Sequence, residues 1–129
     1  MLENVTLVDD KKSRKQIVNQ FYKGLNHETI HDAVTSLEER KHKSFAHGAV
    51  YFQNDLTKEE QEKLNLSKSD GLFIIEDDKG KSGAVVSLQI IVQYLASNRE
   101  TITTEKELSL IQLENIIDRL ELTLKSEDL

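Results

Sequence analysis

The chain of 129 residues has no cysteine, no proline and no tryptophan, and only five glycines. Without cysteine there is no disulfide framework, thiolate zinc site, iron–sulfur cluster, redox CxxC pair or thiol nucleophile. Any metal chemistry is left to imidazole and carboxylate donors. Average usage of roughly 5% would put about six prolines in a chain of this length. Their absence excludes polyproline ligand segments and Pro-rich linkers, and it leaves helix ends to Asn, Thr, Ser and Gly. Aromatics make up 5% and do not interleave with the basic clusters, which weighs against a base-stacking platform. The longest apolar run, 84–96, is broken by Ser87, Gln89 and Gln93 and is too short to cross a bilayer. Met1, Leu2, Glu3, Asn4 and Val5 lead into no apolar h-region. The expectation is a cytoplasmic chain with no secretory signal and no membrane partner.

What is present is a folding composition, 37% apolar and 31% charged in mixed signs, at a length that suits one domain over 1–129. The Lys-, Glu-, Ile- and Asn-rich usage suits a bacterial or phage protein. The net charge of −6 is uneven. Residues 1–43 carry a net +1, 44–98 a net −3 and 99–129 a net −4. Basic residues cluster at Lys11, Lys12, Arg14 and Lys15 and again at Arg40, Lys41 and Lys43. The first cluster would serve as the phosphate contacts of a nucleic-acid-associated regulator. It reads equally as a solvated first helical turn, and the second as cations closing a helix.

The pattern predicts an α+β chain, predominantly helical, with about five helices and a small antiparallel sheet of three short strands at 4–8, 49–53 and 72–76. Ile17, Val18, Phe21, Tyr22 and Leu25 recur at helical spacing and predict a helix over 12–25, closing near Gly24. Asn26 caps a second helix over 27–43, with Ile30, Val34 and Leu37 as its apolar stripe. Thr57 and Glu60 form a capping box that starts a helix to about Leu64. Residues 76–83 read as a polar loop. The run 84–97 fits two readings: alternation over 86–90 allows a hairpin strand against 72–76, while the wheel describes a buried helix. The helix is favoured on length. A long amphipathic helix over 103–126 follows, capped by Thr103 or Thr104. Leu110, Ile117 and Leu124 sit seven apart in it, as do Leu113 and Leu120, giving a two-heptad seam.

Two short motifs carry chemistry. His27, Glu28 and His31 match H-E-x-x-H and resemble, over five residues, the signature of zinc metalloproteases. In such a motif two imidazoles one turn apart hold Zn²⁺ while the Glu acts as general base on metal-bound water. The resemblance would make the chain a zinc-dependent hydrolase with His27 and His31 as ligands and Glu28 as base. Val34 and Leu37 stand where the metzincin extension has Gly and a third His. His47, Glu59, Glu60 and Glu62 are the candidates for a third ligand. Gly80-Lys81-Ser82-Gly83 resembles the end of a P-loop, but Ile75 occupies the place of its first Gly, and Glu76, Asp77 and Asp78 would repel a triphosphate. No G-x-S-x-G occurs.

The expected function is a small, non-enzymatic, protein-interaction module without a cofactor: a regulator, inhibitor or assembly factor that binds another protein or itself. Its expected contact surface is the seam of Leu110, Leu113, Ile117, Leu120 and Leu124. The zinc hydrolase and the nucleic-acid-associated regulator stand as alternatives.

Overall fold

A computed structural model describes residues 4–127; residues 1–3, where the stretch read for a secretory signal begins, and 128–129 lie outside it. The order is β1 (Val5–Leu7), α1 (Lys11–Lys23), α2 (His27–Glu39), β2 (Lys43–Phe45), β3 (Gly48–Tyr51), a 3₁₀ turn (Gln53–Asp55), α3 (Lys58–Leu64), β4 (Asp70–Asp77), β5 (Gly80–Ser87), α4 (Leu88–Ser97), α5 (Arg99–Glu105) and α6 (Leu110–Glu127). The class is α+β as expected. The sheet, however, has five strands in the order β1-β5-β4-β3-β2 and is mixed, because β1 runs parallel to β5 with Val5 opposite Lys81.

Alternation along the strands sends side chains to two cores. Val50, Phe73, Ile75, Ala84 and Val86 face the helices and join Ile17, Phe21 and Tyr22 of α1, Ile30 and Val34 of α2, and Ile91 and Leu95 of α4. Leu72 and Ile74 face the other way and meet Leu56 and Leu66 around α3, with Val5, Tyr51 and Val85 packed against them. Each fully buried aliphatic side chain contributes about 1.5–3 kcal/mol.

The caps read at Asn26 and Thr57 hold. The Asn26 side chain accepts from the N–H groups of Glu28 and Thr29 at 2.9 Å, and Thr29 Oγ1 accepts from Asn26 N–H at 2.8 Å. Thr57 and Glu60 bond reciprocally at 3.0 and 3.2 Å, and the Thr57 N–H holds the Glu60 carboxyl below its usual range. Three boundaries differ. The second helix stops at Glu39, not 43: Arg40 turns left-handed at φ 53°, freeing Lys43–Phe45 to pair with Gly48–Tyr51 as an edge strand. Residues 80–83 are not loop, and 84–97 is not one element. Gly80–Ser87 forms the second arm of a hairpin with β4, and Ser87 then caps α4, its Oγ accepting from Gln89 N–H. Both readings of that run were half right. The expected helix 103–126 is two helices, with Thr103 and Thr104 inside α5 rather than at a cap. Glu107 at φ 54° breaks the chain between them, and Leu108 tucks into the core. Lys106 Nζ donates to the carbonyls of Lys23 and Leu25, closing the end of α1.

Candidate functional site

α6 rests on α2, α4 and α5. Its heptad seam is the protein's own interior. Leu113, Ile117, Leu120 and Leu124 are buried, together with Ile116, and only Leu110 retains surface, at 43% exposure. Four of the five residues expected to meet a partner therefore already have one within the chain. A chain of this size needs its apolar helices for itself.

The same helix presents a second, narrower apolar stripe on its outer side. Ile111 is 72% exposed and Leu122 is 65% exposed. They lie eleven residues apart, three turns, or about 16 Å along the axis. At 100° per residue they share one direction, with Asn115 and Asp118 between them and Glu114 and Glu121 on one flank. All four of these polar side chains are exposed. Arg119, on the other flank, turns away to Glu38 of α2, with Nε 2.7 Å from Oε1. Leu108, Ile111 and Ile116 are expected from sequence to widen the seam's face; Leu108 and Ile116 do lie buried, but Ile111 faces outward. The signal was two large apolar residues at a separation of eleven.

The H-E-x-x-H residues begin α2, which turns Ile30, Ala33, Val34 and Leu37 inward and leaves His27, Glu28 and His31 exposed. His27 Nε2 is 3.8 Å from Glu28 Oε1, and His31 Nδ1 is 4.0 Å from Asp32 Oδ1. Among the described residues no three His, Cys, Asp or Glu side chains group where they could hold a metal ion. Of the candidate third ligands, Glu60 is committed to its capping box. The set therefore does not fit a zinc site. Lys81 and Ser82 lie within β5, so the glycine-rich stretch forms no phosphate-cradling loop.

Lys11, Lys12, Arg14 and Lys15 occupy the first turn of α1, behind its N-cap Asp10. Lys11 and Lys15 share a side, while Lys12 and Arg14 point elsewhere, so the four do not make one stripe. Arg14 is half-buried, with its Nε lacking a hydrogen-bond partner. Cations here oppose the positive end of the helix dipole.

One constellation stands outside the short motifs of the sequence. His42, just ahead of β2, stacks on Tyr51 with ring centres 4.1 Å apart. Its Nδ1 is 2.9 Å from the Val50 carbonyl and its Nε2 is 2.9 Å from Ser44 Oγ. A carbonyl only accepts, so Nδ1 carries the proton and Nε2 offers its lone pair to the Ser44 hydroxyl. The sequence signal was His-x-Ser at strand spacing, which puts both side chains on one face.

Among the described residues no helix is long and apolar enough to cross a membrane. No protein-family model, no curated protein and no solved structure matches the chain.

Proposed function

We propose that the protein is a small cytoplasmic interaction module that works by binding another protein through the outer stripe of α6. The carrying observation is the pair Ile111 and Leu122, two large apolar side chains left in solvent on a helix whose other apolar residues, Leu110 apart, are buried. Exposed apolar residues three turns apart on one face are the anchors of helix-to-helix or helix-in-groove recognition.

The charges between and beside the anchors select the partner. Glu114, Asp118 and Glu121 are exposed, and the neighbouring cation Arg119 is engaged with Glu38. A basic amphipathic segment complements this face. A second copy does not. Parallel pairing sets Asp118 beside its own copy, and antiparallel pairing lays the Glu114 and Glu121 flanks of the two copies on the same side, so either helix direction brings carboxylates together. The expected self-association thus gives way to a heterologous contact.

The test is fluorescence anisotropy with a labelled 18-residue amphipathic peptide bearing a leucine face flanked by lysines. Saturable binding is expected, weakening as ionic strength rises from about 0.05 to about 0.3 M. The Ile111→Asp, Leu122→Asp double variant should lose it while keeping its helical circular dichroism. Undiminished binding by that variant would overturn the reading. Sedimentation should show the unmutated chain as a monomer.

A further inference from the structure

We propose that Ser44 is an activated nucleophile, with His42 as its general base, that takes an acyl group from small esters or thioesters. The argument starts from hydrogen-bond direction. The Val50 carbonyl fixes the proton on His42 Nδ1, and Tyr51 fixes the ring plane by stacking. The remaining lone pair on Nε2 then points at the Ser44 hydroxyl, 2.9 Å away. Nucleophile, base and a third group that orients the base are the three parts of an activated serine. Here the third part is a backbone carbonyl.

The dyad also has a place for an acyl group. Ser44 lines a hollow of about 160 Å³ on the sheet face that α3 leaves open. That equals about five waters at roughly 30 Å³ each, which suits a short acyl chain and excludes a long one. Val5, Ala49 and Ile74 give it apolar surface, and its charged lining is the opposed pair Glu76 and Lys81, register partners on β4 and β5.

The chemistry balances without an added reagent. Ser44 Oγ bonds to the acyl carbon as its proton passes to His42 Nε2. The C–O or C–S bond to the leaving group breaks, and the imidazolium returns that proton to the departing alkoxide or thiolate. Water then attacks the acyl-serine with His42 again as base, releasing the acid and restoring the serine. None of this uses the outer stripe of α6.

A fluorophosphonate probe followed by peptide mass mapping tests the nucleophile, and p-nitrophenyl butyrate tests the acyl transfer. General-base activation predicts that Ser44 labels about 100-fold faster than the exposed Ser97 in the same molecule. Ser44→Ala should lose both the label and p-nitrophenolate release. His42→Gln should bring Ser44 labelling down to the Ser97 rate, with an unchanged circular dichroism spectrum. Labelling of Ser44 no faster than Ser97 overturns the proposal. So does p-nitrophenolate release by Ser44→Ala at the parent rate, or full-rate labelling in His42→Gln.

Discussion

Arg119 holds Glu38 side-on through one edge of its guanidinium, with Nε at 2.7 Å from Oε1 and Nη2 at 3.2 Å from Oε2. The pair joins α6 to α2 across 81 residues of sequence. Both side chains keep solvent contact, so most of the Coulomb gain is screened. A double-mutant cycle with Arg119→Ala and Glu38→Ala should give a coupling of about 0.2–1 kcal/mol that shrinks in high salt. A coupling well above that range would mean the pair, and not the apolar seam, fastens α6.

The two sides of α6 should respond oppositely to truncation. Leu113 is fully buried, so Leu113→Ala leaves a cavity and should cost about 2–5 kcal/mol in chemical denaturation. Ile111→Ala removes a side chain already in water and should shift stability by no more than about 0.5 kcal/mol. Equal costs at both positions would contradict the placement of the seam.

Acid should loosen two helix starts. Asp10 accepts the Ser13 N–H at 2.9 Å, and this bond holds its carboxyl below the usual range, as the Thr57 N–H does for Glu60. A lowered folded pKa means the unfolded chain binds the proton more tightly. The stabilisation is therefore present above the unfolded value and is lost as pH falls through the folded one. Denaturation curves taken from about pH 5 down to about pH 3 should show a shallower decline in an Asp10→Asn, Glu60→Gln protein. An unaltered slope would show that these caps do not titrate with folding.

Gly83 decides how closely β1 can lie. A Cβ there would stand 3.0 Å from Val5 Cγ1 and 3.3 Å from the Phe73 carbonyl oxygen. The carbonyl is fixed in the sheet, so Val5 must give. Gly83→Ala should cost about 1–3 kcal/mol and speed exchange of the Val8 amide, which bonds the Gly83 carbonyl at 2.9 Å. Unchanged Val8 protection in that variant would show that β1 tolerates the extra carbon.

What could be read from the sequence was whatever neighbouring residues decide among themselves. The N-cap at Asn26, the capping box at Thr57, the stripe of α1 and the strand 72–76 all depend on residues within a few positions of one another. What could not be read depends on partners far along the chain. Lys43, Ser44 and Phe45 are a strand only because Gly48–Tyr51 pair with them while β4 holds the other edge of that pair. The alternation over 86–90 and the helical wheel over 84–97 overlap, and only the hairpin register with β4, which ends at Ser87, shows where strand yields to helix. The seam at Leu113, Ile117 and Leu120 was seen, but periodicity identifies an apolar face and not what covers it. The dyad of His42 and Ser44 was invisible for the same reason: its orienting group is a carbonyl on the next strand.

The parallel edge strand also bears on the order of assembly. Strands β2 to β5 pair with their sequence neighbours, so that four-stranded meander closes two two-residue turns and one connection, 52–69, that carries α3. β1 instead joins residue 5 to residue 81, closing a loop of more than seventy residues for only three paired positions. The late, entropically expensive step is therefore the docking of the N-terminal strand, and it follows formation of the meander. On unfolding the sequence reverses. β1 should peel away as a separate low-stability unit and expose the Gly80–Ser87 edge before the helical core yields.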